Sequence, residues 1–248
     1  MAYETFAFVY DEVMDSSLYE KWLSFSKRHL DGKKQVLELA CGTGALAVAF
    51  AKDGYDVTAL DLSEEMLVIA SDRAYEAAVE IQFLEGDMMD LDGIGEFEAV
   101  TCFSDSICYM EDAPSVQQVF DEVYQVLKED GIFMFDVHSQ YQVNEVFPDY
   151  SYHYQTDEFA FLWESYQDEP DTIQHFLTFF VSEEAPETDE VPELFLRKDE
   201  IHDERTYPHS DYLRMLENAG FSKVESYADF IDSEPNEKSR RWFFVCHK

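Results

Sequence analysis

Basic side chains are scarce in this chain. Lysine and arginine number 17 among 248 residues, against 54 aspartates and glutamates, for a formal charge of −37 at pH 7. A surface of that sign repels phosphate backbones and anionic lipid, so nucleic-acid and membrane-surface partners lose their usual electrostatic footing. Apolar runs approaching the roughly 20 residues that span a bilayer are missing too. Cysteine is sparse: Cys41, Cys102, Cys108 and Cys246 form no Cys-x-x-Cys pair and are too few for a disulfide framework. They read as free thiols in a reducing compartment. Met1 to Phe6 carry neither the basic segment nor the apolar stretch of a secretory signal, which points to the cytoplasm. The histidines lack metal-ligand spacing. His153 stands alone in a strand-like run, and His202-Asp203-Glu204 and His209 flank a turn, so no metal is expected. The acid excess suits a saline or alkaline habitat, or recruits a cationic substrate. It carries no information about fold.

What is present supports one good core, since 46% of the residues are hydrophobic. Val36, Leu37 and Leu39 read as a buried strand, and Gly42-Thr43-Gly44 allow a tight turn with close backbone approach to a ligand. Ala45 to Lys52 has a helical pattern, so the backbone N–H groups at its start face the same spot. A second apolar strand, Asp56 to Leu60, delivers Asp61 to the edge of that crevice, where a carboxylate can accept both hydroxyl hydrogens of a ribose. This is a nucleoside-binding βαβ unit.

Two cofactor classes fit such a unit. Gly42 to Ala47 satisfies the G-x-G-x-x-G/A dinucleotide pattern, but Glu38 at the end of the first strand would repel a pyrophosphate and attract an ammonium. With Glu38 before the glycine turn, the chain resembles the class I S-adenosylmethionine (SAM)-dependent methyltransferases, of the YqeM-like small-molecule type, over nearly its whole length. Ala40 stands where that family's motif often has glycine. An NAD-dependent oxidoreductase, a nucleic-acid methyltransferase and a SAM-binding regulator without turnover remain alternatives. The charge balance and the lack of an Asn-Pro-Pro-Tyr-type or paired-cysteine signature disfavour the second.

Organisation along the chain agrees with the resemblance. Residues 5–30 read as one or two amphipathic helices. A Ser63-capped helix reaches about Val79, strands follow at 81–84 and 96–103, a helix at 114–128, and a fifth strand at 131–137. Strands alternating with helices make a Rossmann-like α/β sheet, mostly parallel, covered on both faces. Between Ser139 and Pro208 the pattern turns aromatic and strand-like, at 150–154, 159–163, 173–181 and 194–197. This is an antiparallel insertion, with Glu183–Pro192 reading as a mobile loop. Ser210 would cap a helix ended by Gly220, and strands at 221–227 and 242–247 supply the antiparallel end of a seven-stranded sheet. The expected division is therefore 1–138 with 209–248 as a SAM-binding core with an N-terminal helical lid, and 139–208 as a substrate roof.

The resemblance also implies site residues. Glu38, Ala40, Cys41, Gly42, Gly44 and Asp61 form the first cofactor motif, and Asp87 and Met88 match the positions that meet the adenine. Leu62 and Met66 would pack on its face, and Phe103 would offer a backbone contact to the cofactor ammonium. Tyr10-Asp11 resembles a lid element of related enzymes, with Tyr10 facing the sulfonium. Asp105, with Ser104 and Ser106, would face the acceptor at the end of strand four. His138, at the end of strand five, would accept a proton from it. The partner is a small-molecule methyl acceptor, with no membrane.

Overall fold

A computed structural model describes residues 13–157, 159–182 and 195–248. Helix α1 (Ser17–His29) precedes the alternation β1 (Gln35–Leu39), α2 (Ala45–Lys52), β2 (Asp56–Asp61), α3 (Glu64–Glu76), β3 (Gln82–Glu85), β4 (Phe97–Cys102), α4 (Ala113–Val126) and β5 (Leu127–His138). The insertion holds β6 (Ser151–Gln155), β7 (Phe159–Tyr166), β8 (Thr172–Ser182) and β9 (Phe195–Arg205). Helix α5 (His209–Ala219), β10 (Lys223–Ala228) and β11 (Arg241–His247) complete the described chain.

The first sheet runs β10-β11-β5-β4-β1-β2-β3, and the second β6-β7-β8-β9. In the first, β11 alone is antiparallel to its neighbours β5 and β10, while β1 pairs in parallel with β2 and β4, and β4 with β5. The strand order reverses between β1 and β4, the switch point at which open α/β sheets hold ligands beyond their carboxyl ends. Strands β1 and β4 are buried along most of their length because both faces are covered. One face packs Leu37, Val100, Phe133 and Phe135 against α4 and α5. The other packs Val36, Ala59, Ala99 and Phe243 against α1 and α2. The second sheet has its own small core of Phe159, Phe161, Leu177 and Phe179.

Local signals explain most boundaries. Ser63 accepts from the Met66 N–H and starts α3, which ends at Glu76, short of Val79. Asp112 caps α4 through the Ser115 N–H, so that helix begins one residue before the expected position and ends at Val126, where β5 takes over. Ser210 does not cap α5; the helix begins at His209 after Pro208, whose fixed φ suits a helix entry. Gly220 ends it in the left-handed conformation.

The largest departure is β9. The sequence suggests a strand only to Arg197, with His202 beside a turn, yet pairing with β8 continues to Arg205. Its polarity is inverted. Glu200, His202 and Glu204 are buried while Ile201 is 50% exposed, so the alternation that normally marks the apolar face as the inner one is reversed. The Glu183–Pro192 loop and Tyr10-Asp11 lie outside the described residues.

Candidate functional site

A cavity of about 530 Å³ opens at the carboxyl edge of the parallel strands and reaches the inner face of the second sheet. Its first wall is the turn after β1. Ala40 and Gly42 both take positive φ, +51° and +54°. The Cβ of a residue replacing Gly42 would meet nothing within 4 Å, so hydrogen at that position leaves open space beside the backbone. Gly44, by contrast, does not line the cavity. Its φ is +73°, and a Cβ there would come to 2.7 Å of the Ala70 Cβ, so this glycine lets α2 pack on α3 rather than meeting a ligand.

Asp61 is fixed in advance, accepting from the Gly42 N–H at 2.6 Å and the Ser63 N–H at 2.9 Å. Burial raises its pKa, against the pull of those bonds. A carboxylate has about four acceptor sites, so capacity remains for a diol. Glu38 is buried, and its Oε2 has no hydrogen-bond partner among the described residues. Burial, with the Asp61 charge adding to it, pushes Glu38 up to about 8. An orphaned buried carboxyl at a ligand wall calls for a cation or donor from outside the chain. The Glu38–Asp61 wall therefore fits a ligand with an ammonium and a ribose, as SAM has. Cys41, Leu62, Met66, Asp87, Met88 and Phe103 line the same cavity. Cys41 is held as a thiol, its pKa driven up chiefly by burial.

The middle of the cavity carries a charge network that the sequence reading missed. Arg241 Nη1 lies 2.5 Å from Asp105 Oδ1 and 2.6 Å from Asp136 Oδ2. Asp136 also accepts from Trp22 Nε1 at 3.0 Å and from the Asp105 N–H at 3.2 Å, which ties α1 to the network. Ser104 and Asp105 are both left-handed, φ +58° and +53°, a strained pair that turns the Asp105 side chain back toward Arg241. Burial would raise Asp105, but Arg241 and His138 outweigh it and hold the carboxyl well below its ordinary range. Asp105 is thus a fixed anion and a poor proton acceptor.

His138 Nε2 sits 3.3 Å from Asp105 Oδ2 and 3.6 Å from Glu204 Oε2. Burial alone would lower its pKa; the charge and hydrogen bond of Asp105, with Glu204 behind, carry it above the ordinary value. Ligand atoms of Asp105, His138 and Glu204 lie within 4.8 Å of one another, with Arg241 already on Asp105 as the counter-charge. Across from them His175 Nδ1 is 2.7 Å from Ser165 Oγ, and its Nε2 is 3.5 Å from Glu204 Oε1. Tyr109 Oη lies 3.1 Å from His202 Nδ1.

Arg241 was hidden because it reads as half of a surface Arg-Arg pair. Only the antiparallel sense of β11 pairs its first residue with His138, the last of β5. Glu204 was hidden by the inverted pattern of β9, and that inversion is itself the signal that could have found it. Among the described residues, no helix is long and apolar enough to cross a membrane.

Comparison with known proteins agrees with this geometry. A methyltransferase-domain model matches residues 36–131. A provisionally assigned methyltransferase of Geobacillus sp. (strain WCH70) is 40% identical, covering 100% of both chains. The likewise provisional YqeM of Bacillus subtilis (strain 168) is 38% identical over 100% of this chain and 98% of its own. The glycine/sarcosine N-methyltransferase of Aphanothece halophytica is 28% identical, over 99% of this chain and 89% of its own. Among solved structures, a SAM-dependent methyltransferase from Clostridium acetobutylicum is similar over 100% of this chain and 99% of its own, at TM-score 0.84 and 26% identity.

Proposed function

The chain belongs to the YqeM-like family of SAM-dependent methyltransferases, and from that premise we propose that it methylates a small molecule enclosed between its two sheets. One observation carries this reading: the cavity is continuous from Glu38, Gly42 and Asp61 to Trp163, His175 and Glu204 on the second sheet. About 530 Å³ lies within the range of small-molecule pockets. The glycine/sarcosine N-methyltransferase matches nearly the whole chain, which supports a small acceptor. The formal charge of −37 counts against a nucleic acid.

When bound, SAM supplies an electrophilic methyl group on a sulfonium. The chain's own work is alignment. Asp61 and Glu38 would hold the ribose and ammonium ends of the cofactor, and Asp87 and Met88 would frame its base. Residues 139–208 act as the roof, with Phe147, Tyr150, Phe161 and Trp163 excluding water from the transfer. Asp105 and Asp136, fixed by Arg241, set a constant negative field beside the path of the cation. His138 moves a proton at Nε2 only after it has lost the one that Asp105 stabilises.

Incubating the protein with SAM and a panel of small amines, hydroxyls and carboxylates tests the reading through S-adenosylhomocysteine release. Turnover with a small acceptor and none with transfer RNA or duplex DNA is expected. Turnover on a nucleic acid alone would overturn it.

A further inference from the structure

We propose that the acceptor is a small amine recognised as its ammonium, with Glu204 as the anchor. This rests on the methyltransferase reading and goes further, because that reading leaves the acceptor atom open. Glu204 lines the cavity at 5% exposure, and its buried Oε2 has no hydrogen-bond partner among the described residues. The fixed cation of the network, Arg241, is spent on Asp105 and Asp136, and His138 Nε2 lies nearer to Asp105 Oδ2, at 3.3 Å, than to Glu204 Oε2, at 3.6 Å. Glu204 is met only by two imidazoles among the described residues, His138 at 3.6 Å and His175 at 3.5 Å, and by no lysine or arginine, in a chamber whose lining also includes Asp15, Asp61 and Asp87. A buried carboxylate in that state stabilises a cation brought by a ligand.

The surroundings define the rest of the ligand. Phe147 lies edge-on to His138 and to His175, and Trp163 packs against both Tyr150 and His175. Aromatic walls of this kind hold ammonium groups through their ring faces. The Trp163 indole N–H is itself buried without a partner, so an oxygen acceptor on the same small molecule would satisfy it. An amine carrying a hydroxyl or carbonyl oxygen meets both demands. The proton that must leave the ammonium passes to the deprotonated His138 Nε2, 3.6 Å from Glu204 Oε2. The freed nitrogen lone pair then forms the N–C bond while the C–S bonding pair returns to sulfur.

The test is calorimetry at pH 7 on protein saturated with S-adenosylhomocysteine, using matched pairs: ethanolamine against ethylene glycol, and benzylamine against benzyl alcohol. We expect the amine of at least one pair to bind about 10- to 100-fold more tightly than its neutral partner, the range for a hydrogen bond to a charged group. Glu204→Gln should abolish that preference, and Glu204→Asp should retain part of it. Equal or undetectable binding of both members of each pair to the wild type overturns the proposal without needing any variant. A preference that survives in a folded Glu204→Gln protein overturns the anchor. Stoichiometric zinc binding that displaces the amine would assign the cluster to a metal and overturn it as well. Failure of S-adenosylhomocysteine itself to bind would instead defeat the methyltransferase reading, so the two failures are separable.

Discussion

Replacing Glu38 with glutamine should make the ligand-free protein more stable at high pH while weakening SAM binding. The carboxyl is buried with one oxygen unpartnered, and its pKa rises from an ordinary 4.5 to about 8 through burial and the neighbouring Asp61 charge. A folded-state pKa above the unfolded one means that the folded protein holds a proton which the unfolded chain has released. The associated stability is complete below pH 4.5 and is lost as pH rises through about 8. At about 1.4 kcal/mol per pH unit, the loss over that interval is on the order of 5 kcal/mol. Glutamine cannot ionise, so Glu38→Gln should match the wild type near pH 4 and exceed it by several kcal/mol near pH 9. Urea unfolding followed across that range measures the divergence. Parallel pH–stability curves for the two proteins would refute the reasoning. The ligand side follows from the same carboxyl. An ammonium beside Glu38 favours its ionised form, so SAM binding near pH 6.5 should release close to one proton, read by calorimetry in buffers of different ionisation enthalpy. The glutamine variant should release none from this site.

Four other outcomes are expected. Asp61→Ala should weaken SAM binding by about 1.5–3 kcal/mol, the value of a hydrogen bond to a charged group, and unchanged affinity by calorimetry would move the ribose elsewhere. Ala40→Gly should raise stability by about 1 kcal/mol, because alanine at φ +51° bears a left-handed strain that glycine lacks; a lower Tm would contradict this. Arg241→Met should cost about 3–5 kcal/mol in urea unfolding, since Asp105 and Asp136 would be left as uncompensated buried charges. His138→Ala should lower turnover by a factor on the order of 10²–10⁴ with SAM affinity nearly unchanged. With its pKa above the ordinary value, the wild-type rate should climb with pH through a midpoint above about 6.5, and a flat profile would remove this proton from the reaction.

The parallel half of the fold was legible because its signals are local. The turn glycines, the Ser63 cap and the apolar runs of β1, β2 and β4 each report on neighbours in sequence, and helix α2 falls on the expected residues Ala45 to Lys52. That Glu38, Gly42 and Asp61 meet at one cavity wall was legible for the same reason. Gly44 shows the limit of motif reading: the pattern requires a glycine, and the structure assigns the requirement to helix packing against Ala70. The charge network was illegible because it joins residues far apart in sequence, Trp22, Asp105, Asp136 and Arg241. Arg241 reaches the mouth only because β11 runs against its neighbours. On β9, a strand that buries Glu200, His202 and Glu204 and exposes Ile201 defeats any reading that equates apolar with inside.

The central claim, that SAM lies along the Glu38–Asp61 wall with its methyl group facing an acceptor chamber under the second sheet, is tested most directly by a crystal structure of the complex with S-adenosylhomocysteine. The account predicts the ribose hydroxyls on Asp61, the amino group within reach of Glu38, and the sulfur facing the space bounded by His138, Trp163 and Glu204. A complex in which β6 to β9 supply most of the cofactor contacts, or in which the sulfur faces away from Glu204, would contradict it.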